Sequence, residues 1–150
     1  MRKATLIATL MMAAICSSCT SSLYYWGSSK STKPGDWAYE KATYNYYNKH
    51  TNESLYDLLV VYEDMVSNPG GDRNMVPPGI CAEYGYLLLL PETPAIVAEQ
   101  ASSRQLKRMG LNNGPESYYE KGIALLKKEI ELYPEAEKFI APLLKKLSNR

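Results

Sequence analysis

The chain predicts an all-α fold of five or six helices arranged in antiparallel hairpins. Three observations carry this expectation. Apolar residues recur at helical spacing in several segments, most cleanly at Leu55, Leu58, Leu59, Tyr62, Met65 and Val66. Turn-forming residues punctuate those segments: Asn68-Pro69-Gly70-Gly71-Asp72, Pro91, Asn112-Asn113-Gly114-Pro115 and Pro134. No segment alternates with the period of two that a half-buried strand requires.

Taken in order, Trp37 to Lys49 reads as the first helix, with Asp36 as an N-cap type. Trp37, Tyr44 and Tyr47 share one face of it, and Tyr39, Tyr46 and His50 another. Thr51-Asn52-Glu53 starts a second, amphipathic helix that ends at the Asn68–Asp72 turn. Val76-Pro77-Pro78-Gly79 precedes a third, since proline suits a first helical turn. Ile80, Cys81, Tyr84, Gly85, Leu87, Leu88 and Leu89 make that helix apolar or small nearly all round, so it should be buried on more than one side. Ile80 to Leu90 is too short to span a bilayer, which takes ~20 apolar residues. Thr93-Pro94 starts a fourth helix through Ala95 to Met109, which has a weak apolar side and reads as a thin surface element. Glu116 to Tyr133 is the strongest pattern, with Tyr119, Gly122, Ile123, Leu126, Ile130 and Tyr133 expected on its apolar face. A last helix carries Phe139, Ile140, Leu143, Leu144 and Leu147, interrupted by Pro142, which should kink it.

Composition narrows the class of protein. The chain has 150 residues, 22% charged and 45% hydrophobic, as a folded globular chain does. Lys and Arg number 17 against 16 Asp and Glu, so nothing suggests the basic excess of a nucleic-acid binder. The aromatic usage is lopsided, with 13 Tyr, 2 Trp and 1 Phe. Tyr24, Tyr25, Tyr39, Tyr44, Tyr46, Tyr47 and both tryptophans lie in one short stretch.

The N-terminus reads as an export signal. Arg2 and Lys3 precede an uncharged, mostly apolar run from Ala4 to Ile15, too short for a membrane span. Small residues follow. Cleavage near Ser18 by a general signal peptidase is one reading. The other is a lipoprotein signal: Cys16-Ser17-Ser18-Cys19 resembles a lipobox, with Ser18 before a lipidated Cys19 and Cys16 where leucine is usual. A lipoprotein N-terminus carries three acyl chains, enough for stable anchoring. On this reading residues 1–18 are the signal, 19–35 the lipidated end and tether, and 36–150 the helical domain. By resemblance to Gram-negative sorting rules, Thr20-Ser21-Ser22 after the cysteine favours the outer membrane, periplasmic side. Tyr24, Tyr25 and Trp26 are out of place in a pure linker and belong either on the domain or at the membrane interface. Cys81 is then left alone and reads as a small buried hydrophobe.

Tyr119 to Pro134 resembles the second helix of a tetratricopeptide repeat, with Gly122, Leu126 and Pro134 at the small, large and helix-ending positions. Pro78 to Leu90 resembles the first helix, with Gly85 at the close-approach position. The two glycines stand 37 positions apart, against 12 in an ordinary repeat, so an insertion is placed at about residues 91–115. The whole arrangement resembles an uncharacterised family of Gram-negative lipoproteins, domain of unknown function 4810. The matching marks are Leu23-Tyr24-Tyr25-Trp26-Gly27, Val76-Pro77-Pro78-Gly79 with Ala82-Glu83-Tyr84-Gly85-Tyr86-Leu87, and Tyr133-Pro134-Glu135 with Phe139. The resemblance implies an envelope system shared with other lipoproteins, including one like the curli secretion channel.

A search for chemistry yields little. His50 and Cys81 give no metal-ligand cluster, and no third residue orients them as a nucleophile pair. There is no phosphate-cradling loop and no Gly-x-Ser-x-Gly elbow. Glu63/Asp64 and Glu129/Glu131 read as solvated surface acids. No cofactor, metal or catalytic residue is expected. The expectation is a non-catalytic adaptor, tethered to the membrane by its lipid and contacting other envelope lipoproteins. The alternative is a peptidoglycan- or glycan-binding accessory lipoprotein. Trp26, Trp37, Tyr39, Tyr44, Tyr47, Tyr84 and Tyr119 are the candidate partner-binding residues, because Tyr and Trp concentrate in interface hot spots.

Overall fold

A computed structural model describes residues 22–27 and 38–148. Cys19, Trp37 and the whole export signal lie outside the described residues. Within them the protein is all-α, with no strand and one isolated bridge between Gly70 and Met75. The helices are α1 (Ala38–Lys49), α2 (Asn52–Ser67), α3 (Ile80–Leu88), α4 (Thr93–Gln100), α5 (Ser103–Met109), α6 (Pro115–Leu132) and α7 (Glu137–Leu147). A 3-10 turn, Pro134–Ala136, leads into α7, which continues through Pro142.

That is seven α-helices among the described residues, one more than the upper expectation, because the expected fourth helix is two. The break falls at Ala101, whose backbone is extended. Ser102 then starts α5 with a reciprocal capping box: its hydroxyl accepts from the Gln105 N–H, and the Gln105 side chain accepts from the Ser102 N–H. This pair is not a thin surface element either. Thr93, Val97 and Met109 are fully buried, with α4 against α2.

Helix α2 is the central element. Thr51 and Ser54 cap it reciprocally, and Leu58, Leu59, Tyr62 and Met65 fill the core. Helix α1 folds back along it: Ala38 lies near Val61 across Gly27, and Lys49 acts on Asp57. The most extensive helix contact joins α3 to α6. They run antiparallel, since Gly79 meets Glu129 while Gly85 meets Gly122. A Cβ on Gly85 would sit 2.8 Å from the Gly122 carbonyl oxygen, so only glycine lets the two backbones approach this closely.

The buried face of α6 is rotated from the expected one. Tyr118, Gly122, Leu125, Leu126 and Glu129 face inward, while Tyr119 is partly exposed. The pattern of α6 carries apolar residues on adjacent stripes, and the glycine contact with α3 selects the stripe that is buried.

Residues 22–27, expected within the tether, pack on the domain. The Tyr25 N–H donates to the Gly70 carbonyl at 3.2 Å. The Asp72 and Arg73 N–H groups donate to the Ser22 and Leu23 carbonyls at 3.0 Å each. Tyr25 Oη donates to Asp64 Oδ2 at 2.6 Å. Gly71 has φ of 75°, and a Cβ there would lie 2.6 Å from the Tyr24 backbone. The turn thus has a glycine where the N-terminal segment crosses it.

Candidate functional site

Five aromatic rings link the N-terminal segment to the centre of the domain. Trp26 lies 6.3 Å from Tyr24 and 5.4 Å from Tyr39, centroid to centroid. Tyr39 lies 5.9 Å from Tyr62, and Tyr62 stacks on Tyr84 at 5.8 Å. These spacings are in the range where aromatic pairs attract beyond simple burial. Helices α1, α2 and α3 contribute one ring each. A cation stands at either end: the Arg73 guanidinium is 5.6 Å from the Tyr24 ring, and the Lys121 ammonium 5.4 Å from the Tyr84 ring.

Two carboxylates run beside this ladder. Glu63 is buried and accepts from Tyr84 Oη at 2.8 Å and Ser67 Oγ at 2.8 Å. Lys121 Nζ pairs with the same Glu63 Oε2 and also donates to the Met109 carbonyl. One amine therefore ties α6 to α2 and to the end of α5. Glu83 Oε2 accepts from Tyr62 Oη and, at 3.3 Å, from Tyr39 Oη. Burial, then the hydrogen bond to Glu83, raises the Tyr62 hydroxyl pKa well above the usual phenol value. Burial and then Glu63 do the same at Tyr84.

A third carboxylate corrects a sequence expectation. Glu129 is 2% exposed, not a solvated surface acid. Its Oε1 accepts from the Gly79 N–H at 2.7 Å and its Oε2 from the Ala82 N–H at 3.3 Å. Gly79 offers no side-chain cap, so α6 supplies the anion that the N-terminus of α3 favours. Glu63 departs from the expected solvated pair in the same way. No charge pattern along α2 or α6 distinguishes these acids from surface ones, because Lys121 lies 58 positions from Glu63, and Gly79 and Ala82 lie 50 and 47 from Glu129.

The candidate binding residues separate into two groups. Tyr84 is 0% exposed and belongs to the core, which corrects its expected place among the partner-binding residues. Trp26 and Tyr39 are half-buried within the ladder. Tyr44, Tyr47 and Tyr119 remain accessible, at 70%, 63% and 37%. Tyr119 Oη donates to the Leu147 carbonyl at 3.1 Å and lines an open groove with Ile123 on α6 and Leu144 on α7. Tyr86, 54% exposed and not among the candidates, joins Tyr46 and Tyr47 around a separate recess. Its spacing from Tyr84 placed it on the helix but gave no sign of the α1 residues opposite.

Cys81 is fully buried, and burial followed by Glu129 pushes its thiol up to about 11. His50 is exposed and sits 5.8 Å from the Tyr46 ring. Among the described residues no three His, Cys, Asp or Glu side chains are grouped to hold a metal ion, and no helix is long and apolar enough to cross a membrane. Comparison of the chain with family models, curated proteins and solved structures finds no match.

Proposed function

We propose that the chain is an outer-membrane lipoprotein, lipidated at Cys19, whose helical domain faces the periplasm and serves as a non-catalytic adaptor for other envelope lipoproteins. The observation that carries the adaptor reading is the exposure of Tyr44, Tyr47 and Tyr86 beside a packed core that does not need them. Exposed tyrosines on rigid helices supply contact area at low entropic cost, as partner surfaces do.

The docked segment supports the anchored arrangement. Ser22 is already hydrogen-bonded to the 70–73 turn. Three peptide links separate it from Cys19, a reach of about 10 Å at full extension. A lipid on Cys19 would therefore hold the domain close to the membrane rather than on a long leash. The close pairing of α3 with α6 through Gly85 and Gly122 supports the tetratricopeptide-like and lipoprotein-family reading, with 91–115 inserted between the paired helices.

Two measurements test the proposal. Cys19→Ala should release the protein from membranes, and continued membrane pelleting would refute lipidation at that residue. Crosslinking in intact cells should capture other envelope lipoproteins, with capture reduced by Tyr44→Ala and Tyr47→Ala. Retention on purified peptidoglycan that depends on Tyr44 and Tyr47 would instead favour the glycan-binding alternative.

A further inference from the structure

We propose that the recess between α1 and α3 is a binding site for the guanidinium or ammonium end of an Arg or Lys side chain presented by a partner protein. Its walls are Tyr46 and Tyr47 from α1 and Tyr86 from α3, with Leu87 and Leu90 beside them. Tyr47 and Tyr86 are 63% and 54% exposed, so the aromatic rim is open to solvent. Glu83 also lines the recess; it is exposed, and its Oε2 accepts from the hydroxyl of the almost fully buried Tyr62 and from that of Tyr39.

Two features select the chemistry of the occupant. Aromatic faces attract a cation placed over them, and a carboxylate among them adds a charge-assisted hydrogen bond. Among the described residues no Lys or Arg pairs with Glu83, whereas the neighbouring Glu63 has Lys121. Glu92 adds a second negative charge, close enough to act on Tyr46. The recess is thus acidic and tyrosine-walled, and no cation lines it among the described residues.

Its size argues for a side chain. The volume is about 240 Å³, below the roughly 300–1,000 Å³ of pockets that enclose drug-sized ligands. A single long cationic side chain fits such a space while its backbone stays outside. The assignment rests on the adaptor reading only for the source of the cation; the preference for a cation follows from the recess itself.

The test is a titration of the full chain in detergent micelles, read from the ring resonances of isotopically labelled tyrosine. The probes are Gly-Gly-Arg-Gly-Gly, the same peptide with neutral citrulline, and ethanolamine. The arginine peptide should shift Tyr47 and Tyr86 saturably and bind at least tenfold more tightly than the citrulline peptide. Glu83→Gln and, separately, Tyr86→Leu should each weaken it at least tenfold with the remaining resonances in place. Equal binding of the two peptides, or an unchanged affinity in Tyr86→Leu, would overturn the cation assignment. Saturation by ethanolamine as tight as by the arginine peptide would overturn the protein source in favour of small ammonium compounds. A failure here leaves Cys19-dependent anchoring untouched, and a failure of the Cys19→Ala fractionation leaves this binding untouched.

Discussion

Gly85 and Gly122 face each other across the α3–α6 contact, each closing the space a Cβ on the other would need. The Gly122 oxygen lies 2.8 Å from a Cβ on Gly85, and the Gly85 oxygen 3.0 Å from a Cβ on Gly122. Backbone atoms cannot swing aside as a side-chain end can. Alanine at either position gains about 1 kcal/mol in helix propensity but forces the helices apart, and overpacking costs ~1–3 kcal/mol. We expect Gly85→Ala and Gly122→Ala each to destabilise by up to about 2 kcal/mol in urea unfolding. The double variant should cost less than the sum, because one separation relieves both clashes. A stabilised Gly85→Ala would show that the contact is looser than this geometry.

Lys121 is the second point of leverage. Its ammonium compensates Glu63, whose side chain is 7% exposed, against 22% for Lys121. Removing one partner of a buried pair strands the other charge, at a cost of ~3–5 kcal/mol when burial is complete. Because Lys121 is partly solvated, Lys121→Met should cost about 2–3 kcal/mol. Lys121→Met combined with Glu63→Gln should recover part of that loss, since no charge is then left unpaired. Additive losses in the double-mutant cycle would show that the two side chains are not coupled.

How much of this was legible in the chain depends on whether the deciding contact is local. The bounds of α2 and the burial of Cys81 follow from spacing and residue type, whereas the close approach at Gly85 and Gly122 is expected only from the resemblance to a helical repeat; the structure shows each of these. The Ser102–Gln105 box was local too, yet the uninterrupted polar pattern around it read as one helix. Glu63 and Glu129 read as surface acids because helical periodicity records which residues are apolar, not which charges meet across the fold. Tyr84 reads as a partner-binding residue for the same reason: a tyrosine in a core ladder and a tyrosine on a rim have the same letter. The recess between Tyr46, Tyr47 and Tyr86 needs α1 and α3 brought together, which no single segment specifies.

Glu129 acts as the N-terminal cap of α3 from another helix. Glu129→Gln keeps an acceptor but loses the charge that favours a helix N-terminus, and should cost about 1 kcal/mol. Glu129→Ala leaves the Gly79 and Ala82 N–H groups without their partner. Each buried unsatisfied donor costs ~1–3 kcal/mol, so we expect a loss of about 2–4 kcal/mol. Amide exchange at Gly79 and Ala82 should accelerate more in Glu129→Ala than in Glu129→Gln. Equal exchange in the two variants would mean that the carboxylate does not hold those donors.

Cys81 predicts a stability limit on the alkaline side. Its thiol has a reference pKa of 9.0 and is held near 11 in the fold. Between those values the unfolded chain has released the proton while the folded one retains it. The unfolded state binds fewer protons there, so stability falls as pH rises through the window from about 9 to 11. A displacement of that size corresponds to about 2–3 kcal/mol. Tyr62, Tyr84 and Tyr133, whose hydroxyl pKa values are also raised by burial, add a further loss above pH ~10. Urea midpoints measured from pH 8 to 11 should therefore drop steadily. Cys81→Ala should start lower, because it removes a buried sulfur, but decline less between pH 9 and 10. Parallel pH profiles for the two proteins would show that the Cys81 thiol does not carry the lower part of the transition.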